Sequence, residues 1–284
     1  MSNIERREYF IEDQALPSLF LQSWIDPESS HKGTVLITHG ISEHSECYSH
    51  VAEALANQGW NVFAWDLQGH GKSQGKRGYI KDFKEFPRDL KIVIEKIKND
   101  SPAKTNPFFL IGHSMGGLIT LSALMFESLP SISGAIFSSP ALGISADIPK
   151  IKDMASHWLN SLWPTLTLHN EIIYPDLSRD SEKVASYSKD PLRHTKISAP
   201  LYLGMVEEMK NVINNPHKLK VPTYFQIAGA DKITDTQASL DFFKTIDCEK
   251  KLSLYEESFH EIYNDINKKE TIDDLVSFLG ELSS

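Results

Sequence analysis

Phe108-Phe109-Leu110-Ile111-Gly112-His113-Ser114-Met115-Gly116-Gly117 decides the fold. Four apolar residues form a strand that runs straight into Gly-x-Ser-x-Gly, and Leu118 to Glu127 then reads as a helix. A serine between a strand and a helix is the context of a nucleophile elbow. The turn is tight, and glycines two before and two after the serine let neighbouring backbone approach where a Cβ would clash. Ser114 is therefore the expected nucleophile, lifted above the C-terminal edge of a sheet. The backbone N–H of Met115, at the helix start, faces the same way and gains from the helix dipole.

Outward from this stretch, short apolar runs alternate with helical patterns, the mark of a mostly parallel sheet covered on both faces. Thr34–Thr38, Asn61–Trp65, Gly134–Ser138, Thr223–Ala228 and Leu252–Tyr255 read as strands, with Leu19–Trp24 as an early antiparallel one. Helices are expected over Tyr48–Gln58, Glu85–Lys98 and Glu270–Leu282. The alternation stops near Leu142 and resumes after Pro216. This predicts a core of residues 1–142 and 217–284, with 143–216 an inserted, mainly helical cap. Trp158, Leu159, Leu162, Trp163, Leu166 and Leu168 cluster within it.

The 284 residues are 40% hydrophobic and 24% charged, which fits one large α/β domain. A net charge of -9 argues against nucleic acid and against electrostatic docking on anionic lipid. Cys47 and Cys248 show no metal-ligand spacing and suit a reducing compartment. The start lacks an apolar signal region, and no run approaches the roughly 18 apolar residues of a membrane span. The expectation is a soluble, cytoplasmic protein.

A serine hydroxyl needs a base to take its proton. With an elbow serine, the partners follow in the order acid, then histidine. Of eleven histidines, His260 has the right place, after the strand Leu252–Tyr255 and before the last helix. Asp231, directly after Thr223–Ala228, is the favoured acid, with Asp235 its rival one turn later. Ile41 N–H, in the loop His39-Gly40-Ile41, is the candidate second oxyanion donor beside Met115. Haloalkane and epoxide chemistry would need an aspartate where Ser114 stands.

With these residues assembled, the chain resembles the monoacylglycerol lipase and lysophospholipase branch of the α/β-hydrolases. The resemblance rests on His39-Gly40-Ile41-Ser42-Glu43-His44-Ser45, Asp66-Leu67-Gln68-Gly69-His70-Gly71-Lys72-Ser73, Gly112–Gly117, Gly229-Ala230-Asp231, Phe259-His260-Glu261 and Tyr187-Ser188-Lys189-Asp190-Pro191-Leu192. It implies Ser114, Asp231 and His260 as the triad, Ile41 and Met115 as the oxyanion donors, and no cofactor or metal. It also implies an acyl-lipid ester substrate and a cap tunnel, often at a membrane surface, to which Trp158, Leu159 and Leu162 would contribute. Glu43 and Tyr187 match two residues of the family's alcohol pocket. The family's arginine is Cys47 here, which cannot donate charged hydrogen bonds. Asp66 and His70 are expected to brace a turn. Lysophospholipids and small esters are the alternative substrates, and a proline aminopeptidase of the same fold finds no support in the cap.

Overall fold

Strands without a polar face have to be covered on both sides. Five strands of the protein, seen in a computed structural model, meet that condition: every residue of β3 (Gly33–Thr38), β4 (Trp60–Trp65), β5 (Phe108–His113), β6 (Gly134–Ser138) and β9 (Thr223–Ala228) is buried. The structure describes residues 3–12, 17–28, 31–100, 107–145 and 158–282. The sheet is completed by β1 (Glu5–Ile11), β2 (Leu19–Ile25) and β10 (Lys250–Tyr255), in the order β1-β2-β4-β3-β5-β6-β9-β10. Pairings β1–β2 and β2–β4 are antiparallel, and all others are parallel. This is the α/β-hydrolase fold.

Alternate residues of each strand enter two apolar clusters, as a period of two requires. Leu36, Phe63, Leu110 and Phe137 join one, with the helices Glu85–Asp100, Met115–Phe126, Ala199–Ile213 and Thr236–Thr245. Val35, Ile37, Val62, Ile111 and Ile136 join the other, with Ser49–Ala56 and Lys268–Leu282. Met115–Phe126 is apolar nearly all round and buried except for the half-buried Leu124 and Phe126, so it lies inside the first layer.

Two features of the topology position the site. From β3 the chain goes out to β4 on one side and comes back to β5 on the other. The loops leaving β3 and β5 therefore part and leave a crevice above the C-terminal edge, the place where open α/β sheets bind ligands. Secondly, β6 and β9 are parallel neighbours and need a crossover helix. Ala199–Ile213 supplies it, which explains its place in the core cluster. What precedes it is additional: a helical turn at 158–162, a two-stranded ribbon of β7 (Thr167–His169) with β8 (Lys196–Ser198), and the helix Ser181–Tyr187. This ribbon was not expected from the sequence.

Candidate active site

β5 ends at His113 and the next helix begins at Met115, so Ser114 alone makes the turn, at φ 53° and ψ -121°. A non-glycine residue held there costs roughly 1–3 kcal/mol and persists only where its surroundings enforce it. They do: Ser114 N–H donates to Ser138 O at 3.0 Å, and Ser114 O accepts from Ala141 N at 3.0 Å and Leu118 N at 3.1 Å. Gly116 is obligatory for close approach. A Cβ there would lie 2.3 Å from the carbonyl oxygens of both Thr38 and His39.

His260 follows β10 in a short loop, with its side chain almost fully buried. Its Nδ1 lies 2.7 Å from Asp231 Oδ2. Asp231 is held in turn by its own loop. Oδ1 accepts from the backbone N–H of Ile233 at 2.8 Å and Thr234 at 2.9 Å, and Oδ2 from the Thr234 hydroxyl at 2.8 Å. With Nδ1–H committed to the carboxylate, Nε2 is the nitrogen that can take a proton. Burial pulls the His260 pKa down, but the Asp231 charge and hydrogen bond outweigh it, and the net direction is up. Burial opposes ionisation of Asp231, yet the His260 charge and these hydrogen bonds hold it below the usual range. Asp235 points elsewhere: it caps the helix Thr236–Thr245, accepting from Ala238 N at 3.1 Å. His113, whose ring centre lies 4.7 Å from that of His260, is pushed down to about 3 by burial and stays neutral.

The loop after β3 is braced against Ser114. His39 Nε2 accepts from Leu67 N–H at 3.0 Å, so its Nδ1–H donates to Gly40 O at 2.7 Å. Gly40 N–H donates to the Glu43 carboxylate. A Cβ on Gly40 would lie 3.0 Å from Ser114 Cβ, so the loop passes directly over the serine. Asp66 accepts from the N–H of Ser45 and of Lys72, both at 2.7 Å, and so braces the neighbouring turn.

Two cavities meet at Ser114. One, of about 290 Å³, runs past Ile41 and Met115 to Ile144, Ile197, Met205 and Met209. The other is small, about 20 Å³, and includes Glu43, Asn170, Arg193, His260 and Glu261. A wider groove of about 470 Å³ near β1, lined by Arg7, Leu21 and Lys96 among others, shares no residue with either. Trp158, Leu159 and Leu162 line neither Ser114 cavity. Trp158 and Leu162 are 66% and 76% exposed. Spaced four apart, they share one helix face, and that face looks outward. The 290 Å³ cavity is lined instead by Ile and Met side chains, Met205 and Met209 among them from the crossover helix.

A family model described as serine aminopeptidase, S33, matches residues 29–267. The chain belongs to the S33 family. It is 30% identical to the monoglyceride lipase of Rattus norvegicus over 251 residues, 87% of this chain and 81% of that one. It is 29% identical to phospholipase YtpA of Bacillus subtilis, covering 83% and 90%. It spans only 28% of the length of an abhydrolase domain-containing protein of Dictyostelium discoideum, to which it is 30% identical over 93% of its own length. The crystal structure of a Paleococcus ferrophilus monoacylglycerol lipase superposes with a TM-score of 0.82 at 28% identity, covering 99% of both chains.

The small cavity of this S33 protein holds residues that sequence reasoning missed. Arg193 donates to both oxygens of Glu261 at 3.1–3.3 Å and stacks 3.8 Å over the Tyr187 ring. Tyr187 Oη also donates to Glu261, at 2.5 Å. Arg193 Nη2 lies 3.5 Å from Cys47 Sγ, so a guanidinium does stand beside position 47, carried by the insertion. Glu43 Oε1 accepts from Tyr48 Oη at 2.7 Å, whereas Oε2 is buried without a hydrogen-bond partner among the described residues. Burial first, and then the charge of Glu261, push Glu43 up. Burial also opposes Glu261, but Arg193 and Tyr187 hold it low. Among the described residues, His44, Cys47 and Asp190 form the one grouping with metal-ligand spacing. It makes a poor centre: His44 Nε2 is spent on Asp190 at 2.8 Å, and burial pushes the Cys47 thiol up to about 12, away from the thiolate a metal needs.

Proposed function

We propose that the protein is a serine hydrolase of carboxylic esters carrying a long or medium acyl chain, with monoacylglycerol as first substrate. The observation that carries this reading is the junction at Ser114. A largely apolar cavity meets a small one there, and the small one is bordered by the charged residues Glu43, Arg193 and Glu261. An apolar acyl arm matches the larger cavity, and the charged residues bordering the smaller one offer partners to the hydroxyls of an alcohol arm. Ser114 attacks the carbonyl while His260 Nε2 takes its proton, and Asp231 stabilises the resulting imidazolium. Ile41 and Met115 N–H meet the charge on the tetrahedral oxygen, each worth about 3 kcal/mol. His260 then protonates the leaving alcohol, and water activated by the same histidine frees the acid.

Glycerol is favoured over a phosphorylated headgroup on charge. The fork of Arg193 is spent on Glu261 and its charge is shared with Glu43 Oε2 at 3.7 Å, so the small cavity offers carboxylate acceptors, which suit hydroxyl donors, and no uncommitted cation for a phosphate. Lysophospholipid is the second reading, favoured by the similarity to phospholipase YtpA. Equal turnover of lysophosphatidylcholine and monoacylglycerol of one acyl length would remove the preference for glycerol. A fluorophosphonate should label the protein and not Ser114→Ala, and labelling at full rate in the variant would sink the mechanism.

Within 143–216, we assign the cap to the part before Ala199. Its exposed Trp158, Leu162 and Trp163 fit peripheral contact with a lipid surface. No helix among the described residues is long and apolar enough to cross a membrane. The free cysteines fit a cytoplasmic location.

A further inference from the structure

Catalysis here needs two loops in register: the one after β3, which carries Ile41, and the one after β10, which carries His260. Each contains a buried carboxylate placed to hold it. Glu43 accepts from the N–H of Gly40, immediately before Ile41. Glu261 directly follows His260, and its N–H donates to Leu177 O in the insertion at 2.8 Å. Its carboxylate takes Tyr187 Oη, Asn264 Nδ2 at 2.9 Å and the Arg193 fork. The same guanidinium stands 3.7 Å from Glu43 Oε2. Glu43, Arg193 and Glu261 have side chains 2%, 3% and 5% exposed, so no solvent screens them.

We propose that Arg193 is a positioning residue that ties the oxyanion loop to the histidine loop, so that the two face Ser114 in register only when the insertion is seated. This rests on the serine-hydrolase reading above. The contacts are specific to the task. Arg193 has no role at the reacting atoms, yet it bridges the two carboxylates nearest the two catalytic loops. It comes from a segment that supplies none of the expected triad or oxyanion residues. Without it, two buried like charges face each other unneutralised and the loops they hold separate. Because Cys47 Sγ lies 3.5 Å from Arg193 Nη2, the same charge can also be delivered from the core side.

The test uses p-nitrophenyl butyrate, whose leaving group carries no glycerol hydroxyls, so headgroup binding does not enter. Active-site concentration is fixed by fluorophosphonate titration. Arg193→Met should lower kcat roughly 10²-fold, the scale of a small misplacement, with KM within about threefold of wild type. Cys47→Arg in the Arg193→Met background should recover about tenfold or more of that loss, since it returns a guanidinium to the carboxylates, and Arg193→Lys, a cation without the bidentate fork, should recover a smaller part. Unchanged kcat in Arg193→Met overturns the proposal. So does a loss that neither cation recovers, which would mark Arg193 as packing alone. Should Arg193→Met not fold, the isosteric Glu261→Gln decides. It removes the ion pair and keeps the shape, so unchanged kcat there refutes the tie. Failure of the wild type to label at Ser114 would instead sink the hydrolase reading and leave Arg193 aside.

Discussion

Replacing Asp231 by Asn should disable the base by reversing its tautomer, and the structure dictates how. Oδ1 of Asp231 is pinned by two backbone N–H donors, from Ile233 and Thr234. An asparagine carbonyl oxygen must occupy that position, because an amide NH2 there would meet two donors. Its NH2 group then takes the place of Oδ2, which lies 2.7 Å from His260 Nδ1. A donor at that point forces Nδ1 to accept, and the proton moves to Nε2. His260 can no longer take the proton of Ser114. The loss of orientation and of imidazolium stabilisation is expected to lower kcat by about 10⁴-fold. That is about 5 kcal/mol of transition-state stabilisation. Asp235→Asn is the control: asparagine caps a helix as well as aspartate, so the contact to Ala238 N survives and kcat should stay within about twofold. Both are measured by steady-state hydrolysis of a soluble ester, normalised to folded protein. An Asp231→Asn variant within tenfold of wild type, or a collapse in Asp235→Asn alone, would refute the assignment of the acid.

The acid limb of kcat/KM should lie above the ordinary histidine value of about 6.5, because the base form of His260 is required and the net shift of its pKa is upward. A midpoint at or below that value in a pH-rate profile would contradict the coupling to Asp231. The stability linkage has two signs: the raised histidine contributes stability below about 6.5 that is lost as pH rises through its folded value. The lowered aspartate contributes stability above about 3.9 that is lost as pH falls. Gly116→Ala should destabilise by about 1–3 kcal/mol, since its Cβ would meet two backbone oxygens that cannot rotate away; an unaltered melting temperature would argue against the packing. Leu162→Ser with Trp163→Ser should weaken sedimentation with neutral lipid vesicles while leaving soluble-ester turnover unchanged; undiminished co-sedimentation would exclude this face.

What the sequence shows plainly is what both faces of the sheet demand. Val35, Leu36 and Ile37 point to opposite layers yet are all apolar, so β3 is readable from the chain alone. The same holds for β4, β5, β6 and β9. β1 escapes such reading. Six of its seven residues are exposed, and it is held through backbone pairing with β2, which leaves no apolar signature. β7 and β8 are three residues each, too short for a period to register. Ser114, Asp231 and His260 are legible because each sits where a strand pattern ends. Arg193 is not, since its partners lie 68 and 146 residues away and only the folded chain brings Glu261 and Cys47 beside it. The Trp158–Leu168 cluster signals apolar surface but not its direction. A tunnel wall and a lipid-facing rim have the same composition.

The topology explains why the insertion reaches this site and no other. β6 lies between β5, which leads into Ser114, and β9, which ends three residues before Asp231. The chain leaves the C-terminal edge at Ser138, between those two, and must return to the opposite edge to begin β9 in parallel. The crossover helix Ala199–Ile213 makes that descent. Anything inserted before the helix therefore rises from the middle of the edge that bears Ser114, Asp231 and His260. It can vary in length and sequence without altering the register of a single strand. The places of Ser114, Asp231 and His260 are set by the sheet, whereas the guanidinium beside Glu43 and Glu261 comes from the segment before the crossover helix. On the proposed role of Arg193, a change in that segment would alter loop register and headgroup preference together, through one side chain, while Ser114 stays in place.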